Sequence, residues 1–296
     1  MKSYVRIPHI RACGVNATSC PYIAGFPSMT GWMGLTHSIE RRLKNRYAVT
    51  IPKMGVCCHS FKLHAKREKG DILYSPVLSR NPLDVKPMGE CTVAPFIEGM
   101  EAWLDVTLVM RIEGLDPDDD RAVARALREA VLSLRICGGI AESCEEPVFF
   151  YPDEDNEDDE AKFFHRLGAG SIIISRTDLL QELSAQEGAD ALDGILKALA
   201  VHQITSENTA THEKKYQRYK QISSGWLVPM AVGYRAISPL ATIPGQRDMS
   251  KPHRFVESVL TLAEFKAPWH FKSLEEMMWH YEYNESQGTY LVCQNK

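Results

Sequence analysis

The chain has 296 residues, 44% hydrophobic and 24% charged, with a formal net charge of −4. That length builds one large domain or two small ones around a sizeable core, and the composition is ordinary for a soluble globular protein. No run of 18 apolar residues occurs, and the start, Met1-Lys2-Ser3-Tyr4-Val5-Arg6, lacks the apolar centre of a signal peptide; a cytoplasmic protein without a membrane span is expected.

Tyr4 to Val15 alternates as a first strand. Gly25-Phe26-Pro27-Ser28 breaks the chain, and Ser28 is placed to cap a helix reaching about Asn45. Met29, Trp32, Met33, Leu35, Thr36, Ile39 and Leu43 form its apolar stripe, and Arg41, Arg42, Lys44 and Arg46 load its end, where cations suit the helix dipole. Met54 to Arg67 reads as a second strand and Trp103 to Ile112 as a third. Pro117 and Asp118 open a second helix, Asp120 to about Leu134. Residues 134–137 or 171–174 can supply a fourth strand.

The order β-α-β-β-α-β predicts an α+β fold of the ferredoxin-like type. The same order builds the RNA-recognition fold, whose open sheet face takes single-stranded bases. Residues 68–100 carry Pro76, Pro82, Pro87 and Pro95 with Gly70, Gly89 and Gly99. A connection this long and turn-rich between two strands predicts a protruding, functional insertion. Residues 68–100 are therefore read as a protruding hairpin inserted into a domain made of 1–67 and 101–296, whose last third is a C-terminal extension. Residues 153–160, Asp-Glu-Asp-Asn-Glu-Asp-Asp-Glu, read as a solvated loop. Arg176 to Ala200 reads as helical with a break at Gly188, and helical runs at about 253–265 and 272–282 close the chain.

The small net charge hides a strong asymmetry. Residues 1–90 carry +9, residues 91–160 carry −14 and residues 161–296 carry +1. A basic face follows, and a local patch is enough to neutralise phosphates and release counterions. The alternative is two solvated surfaces of opposite sign. Eight cysteines occur without a C-x-x-C pair, which favours reduced buried thiols over a zinc site. No phosphate-loop, dinucleotide, H-E-x-x-H or G-x-S-x-G motif is present, so no cofactor or metal is expected.

His9, His37 and His59 lie on the first strand, first helix and second strand, where metal-independent RNA cleavage would need its acid and base. A structural role is the expectation for each. Cationic and aromatic residues together are the better signal, because single-stranded RNA is held by basic grooves and stacking rings. Arg41, Arg42, Lys44 and Arg46 form one candidate surface; Arg80 with Asn81, and Trp226 with Tyr234 and Arg235, form others. Core packing is the competing role for Trp226 and Tyr234.

Several segments together resemble a known family. They are Gly25-Phe26-Pro27-Ser28 with Gly34, His37, Arg41 and Arg42; Cys58-His59-Ser60-Phe61; and Arg80-Asn81-Pro82-Leu83. The most specific is Gly225-Trp226-Leu227-Val228-Pro229 with Gly233-Tyr234, Ala236 and Ser238-Pro239-Leu240; Arg254-Phe255-Val256-Glu257 and Trp279-His280-Tyr281 complete the set. In order and spacing, from about 20 to 292, the chain resembles the second Csy subunit, a Cas-five-type protein of type I-F CRISPR surveillance (Cascade) complexes; residues 140–220 match poorly and look shortened. The resemblance implies an RNA-recognition-like palm with an inserted thumb and no nuclease activity, the guide being cut by a separate Cas-six-type enzyme. It implies a subunit of an antiviral ribonucleoprotein that pairs with the large Cas-eight-type subunit and holds the 5′ handle of the guide RNA (crRNA). The thumb would fold over the RNA beside the first Cas-seven-type backbone subunit, and target DNA would be met only through the complex, by base pairing. It adds Arg254 to the RNA-binding candidates. A Cas-five-type endoribonuclease that processes guide precursor, and an interaction module whose basic face meets an acidic protein, are the alternatives.

Overall fold

A computed structural model describes residues 3–69, 74–78, 84–85, 91–92, 99–153, 157–185, 188–207, 214–220, 222 and 225–294. Its first part holds β1 (Ser3–Asn16), α1 (Met29–Leu43), β2 (Thr50–Leu63), β3 (Glu101–Glu113), α2 (Asp120–Ser133), β4 (Arg135–Ile136) and β5 (Gly139–Ser143). These follow the sequence reading to within a few residues. Ser28 caps α1, its side chain accepting from the Gly31 amide. Both candidate fourth strands form. The first is a two-residue edge, and β5 beyond its turn pairs with β1 instead.

The chain continues through β6 (Val148–Phe150), α3 (Glu157–His165), β7 (Ser171–Ser175), α4 (Thr177–Ser184), α5 (Ala191–Leu199), β8 (Trp226–Ala236), β9 (Val256–Lys266), β10 (His280–Asn284) and β11 (Thr289–Cys293). All eleven labelled strands join one antiparallel sheet, ordered β4-β5-β1-β3-β2-β7-β9-β8-β11-β10, with β6 also on β1. A separate hairpin pairs Val201–Glu207 with Lys214–Lys220. No helix among the described residues is long and apolar enough to cross a membrane.

Three expectations are corrected. The acidic run is not loop throughout: Glu157–His165 is helical. Phe163 and Phe164, just after the acids, are buried against the sheet, and that burial stabilises a segment whose charge alone favours solvation. The expected helix at 253–265 is strand β9. Ala263 packs into the main core while Leu262, on the other face, packs beneath α4 and α5. A strand buried on both faces loses its polar alternation and imitates a helical stripe. At 272–282 the Ser273–Glu276 capping box starts only one 3-10 turn, Leu274–Met277. Trp279 then bonds the Met54 backbone in both directions, at 2.9 and 2.6 Å, and β10 follows.

Most of the proposed thumb, 68–100, lies outside the described residues. The parts described include two short antiparallel pairings, Ala65–Lys66 with Ser75–Pro76 and Asp84–Val85 with Cys91–Thr92.

Helices α1 and α2 cover one face of the sheet over Val5, Ile7, Ile10, Val56, Val106, Leu108 and Met110. The opposite face is only half covered. Tyr4, Cys57 and Val109 lie under α3 and the 271–278 segment, with Phe163, Phe164, Phe271, Leu274 and Met277. Glu275 fastens that cover: it accepts from Lys53 at 2.7 Å, Tyr4 at 3.1 Å and Arg111 at 3.3 Å. Partial burial opposes its charge, but Lys53 and its other partners prevail and hold the Glu275 carboxyl below the usual glutamate range. A depressed folded pKa contributes stability that is present above the ordinary value and lost as pH falls through the folded one. Glu275→Gln is therefore expected to melt lower than the parent near neutrality. The gap should close below about pH 4.3; melting curves from pH 7 to 3 check this, and a gap that widens in acid would refute it.

Candidate nucleic-acid interface

Three surfaces combine aromatic and small polar groups, the first two of them with arginine or lysine. The first is a groove of about 610 Å³ along the N-terminal half of α1. Ser28 lines it from the helix cap, Thr30, Gly31, Gly34 and Ser38 from the helix, Arg135 from β4, Gly138 from the turn into β5, and Tyr234 and Tyr290 from the C-terminal strands. The helix presents glycines and hydroxyls there because its apolar stripe faces the core: Trp32, Met33, Leu35, Thr36 and Ile39 are all buried. Tyr234 and Tyr290 are cross-strand partners, and Tyr290 stacks on Tyr281 with centroids 5.6 Å apart. His37 meets Tyr281 edge to face at 5.1 Å. Its partial burial pushes its pKa down, so the ring is held neutral below its ordinary range. Groove and ring row together offer what a single RNA strand needs: hydroxyls, an arginine and exposed aromatic faces.

The second surface is the uncovered half of the sheet. His9 and His59 stack there with centroids 4.4 Å apart. His9 sits at a β-bulge with a positive φ of 46°, a conformation a side chain rarely adopts, and its Nδ1 lies 3.0 Å from Asp105. His59 Nε2 lies 2.8 Å from the Thr107 hydroxyl. Burial, then the His9 ring, pushes the His59 pKa down. Both histidines are thus bonded to neighbours within the fold. Arg11, Lys62 and Trp103 line the adjoining hollow with Ser60, Asp105 and Glu142.

The third is a cavity of about 300 Å³ between the first two, walled by Phe26, Phe61, Trp226, Val228, Pro229 and Phe265, with Cys58, His59, Ser60 and Ser171 as its polar members. Gly25 and Phe26 line this cavity while Pro27 and Ser28 line the groove, so the two hollows adjoin across Phe26-Pro27.

A family model for CRISPR-associated protein (Cas_Csy2) matches residues 5–292. The chain belongs to this family. Among curated proteins it is similar to "CRISPR-associated protein Csy2" of Pseudomonas aeruginosa (strain UCBPP-PA14), with 27% identity over 96% of this chain and 93% of that one. Three of the motifs that carried the resemblance are brought together by the fold: Gly25-Phe26, Cys58 to Phe61, and Trp226, Val228 and Pro229 all line the aromatic cavity.

The predicted RNA contacts fall in different places. Arg41 is exposed and donates to Ser38 Oγ at 3.0 Å. Arg42, also exposed, donates to the Ser133 hydroxyl of α2, and Lys44 pairs with Glu40 at 2.7 Å. Trp226 and Tyr234 are 69% and 40% exposed, which decides against core packing for both. They belong to different hollows, and Arg235, the next residue after Tyr234 on a strand, projects from the other face. Arg254 is half-buried with an unpartnered Nε, against the turn at Gly288. Arg80 and Asn81 lie outside the described residues. Sequence reasoning missed Arg135, Tyr281 and Tyr290. Tyr290 lies in the β-prone run Thr289–Cys293, and that run was the available signal.

Proposed function

We propose that the chain is a non-catalytic subunit of a type I-F Csy surveillance complex, binding the 5′ handle of the guide RNA and pairing with the large Cas-eight-type subunit. The observation that supports it best is the groove along α1. It is open, lined by hydroxyls and backbone-exposing glycines, flanked by Tyr234, Tyr290 and Arg135, and built partly from the motifs of the resemblance. The strand order β5-β1-β3-β2, with α1 and α2 on one face, fits an RNA-recognition-like palm over 1–67 and 101–296. In this reading residues 68–100 are the thumb that closes over RNA at the junction with a Cas-seven-type backbone subunit. Arg41, Arg42, Lys44, Arg80, Asn81, Trp226, Tyr234, Arg235 and Arg254 remain the proposed contacts, Arg41 and Arg42 foremost, and target DNA is reached through the complex.

Phosphate contacts position a strand without reading its bases. Arg41 and Arg42 end in exposed guanidiniums whose hydrogen-bond partners among the described residues are serine hydroxyls, Ser38 and Ser133, so both can turn to a phosphate. The double variant Arg41→Ala/Arg42→Ala is expected to weaken matched and scrambled handles alike and to lower the salt slope by up to about 2. Affinity across a salt series, with melting as control, tests this. An unchanged slope removes both arginines from the interface, and metal-independent cleavage of repeat RNA by the parent chain would favour the endoribonuclease reading.

A further inference from the structure

Two of the sequence motifs, Ser238-Pro239-Leu240 and Arg254-Phe255-Val256-Glu257, line none of the three hollows. They stand where the chain leaves β8 and re-enters β9, at the two ends of the loop 237–255. Ile237, Leu240, Met249 and Phe255 of this loop are each more than half exposed. Such a concentration of large apolar side chains in water marks a surface that another molecule covers. The loop is nonetheless well built. Ala241 and His253 exchange backbone hydrogen bonds at 2.9 and 2.8 Å, and the Ile237 amide donates to the Phe255 carbonyl at 3.0 Å. The Phe255 amide donates to the Ser238 hydroxyl at 2.8 Å. At the tip Gln246 donates to the Asp248 and Lys251 carbonyls, both at 2.7 Å, and accepts from the Ile243 amide at 2.8 Å. Pro239, Pro244 and Pro252 restrict the chain further.

Three features decide what covers it. The exposed apolar groups are mostly aliphatic: Phe255 is the one ring among the four, so the other three offer no face to a base, and RNA would leave them wet. A protein surface buries all four. The loop is already ordered, so little of the gain from that burial is lost to fixing its backbone. The charges are one-sided. Within 237–255, Arg247, Lys251 and Arg254 stand against Asp248, and Arg247 and Lys251 are exposed. Complementarity places carboxylates at the rim of whatever receives the loop. Its position also matters: Tyr234 lines the α1 groove and the loop begins three residues later, so a partner seated on it stands at one end of that groove.

We propose that the 237–255 loop is a preformed docking knob for a neighbouring protein subunit, whose seat is an apolar hollow edged by carboxylates. Leu240 and Phe255 enter the hollow, Arg247 and Lys251 meet its rim, and Gln246 holds the tip in shape. This rests on the complex-subunit reading above and adds to it a surface and the chemistry of what that surface meets. RNA in the groove and protein on the knob are separate contacts.

The test co-expresses the full-length chain with the Cas-eight-type and Cas-seven-type subunits and the guide RNA, and compares the parent with Leu240→Ser/Phe255→Ser and Arg247→Glu/Lys251→Glu. All four side chains are exposed and Phe255 is held by its backbone, so melting of the isolated variants should stay parental. Leu240→Ser/Phe255→Ser should weaken the hold on one protein subunit by about tenfold or more. The same isolated variant should bind guide RNA with parental affinity. Arg247→Glu/Lys251→Glu gives an independent reading of the same contact: it should weaken the same subunit, and most at low salt, where repulsion by the partner's carboxylates is least screened. Parental binding by that variant would refute the acidic rim, and full assembly by Leu240→Ser/Phe255→Ser would overturn the knob. Loss of guide-RNA affinity in the isolated variants would assign the loop to RNA instead, and a dimeric parent made monomeric by them would assign it to a second copy of the chain; either refutes the proposal. Failure of the parent to join either subunit would overturn the complex-subunit reading itself.

Discussion

Replacing Trp279 with alanine is expected to remove about 3–5 kcal/mol of stability, enough to unfold much of the chain at moderate temperature. Trp279 is fully buried, and its indole Nε1 donates to the Ile173 carbonyl at 2.9 Å. Its backbone closes a two-way bridge to Met54 of β2. The residue thus ties the C-terminal segment to β2 and β7, the two strands where the first half of the sheet passes into the second. Alanine leaves a large void and an unpaired carbonyl at Ile173. Trp279→Phe keeps most of the volume and loses only the donor, so it should fall between parent and alanine. Urea melts monitored by far-ultraviolet dichroism rank the three. A near-parental alanine variant would show that the strands hold without this anchor.

The anchor also shows where sequence reading stops. In the first half of the chain, local signals and tertiary outcome agree. Ser28 offers a cap and caps; the stripe from Met29 to Leu43 faces the core; the apolar alternation of β3 places Leu104, Val106 and Leu108 inward. In the second half the local signal is ambiguous, because β9 is covered on both faces and Ser273–Glu276 is a true helix start that tertiary pairing interrupts after one turn. The bridge between Met54 and Trp279 spans most of the chain, and nothing near Trp279 in sequence announces it. The candidate site divides in the same way. The motif residues Phe26, Ser60, Trp226 and Tyr234 were legible as a set, whereas their division between two adjoining hollows depends on β8 running past the start of α1. Arg135 was invisible as a groove residue, since only the β4–β5 turn brings it over α1.

The groove itself is best tested by filling it. Gly34 lies inside α1, is exposed, and a Cβ added there meets no atom within 4 Å. Glycine in a helix interior costs about 0.5–1 kcal/mol relative to alanine, and nothing in the packing of the described residues accounts for its presence. Gly31, one turn earlier, differs: a Cβ there would stand 3.1 Å from the Cys137 sulfur. Close approach of an external strand to the helix backbone would account for Gly34. Gly34→Ala is then expected to raise the melting temperature while weakening RNA binding slightly. Gly34→Trp should still fold, since the site opens to solvent, but its indole would occupy the space between Ser38, Arg135 and Tyr290 and lower handle affinity by at least tenfold. Stability and affinity moving in opposite directions across this pair is the expected signature, because a structural role for the glycine would move them together. Melting and equilibrium binding on the same preparations measure both, and full affinity in Gly34→Trp would place the RNA elsewhere on the protein.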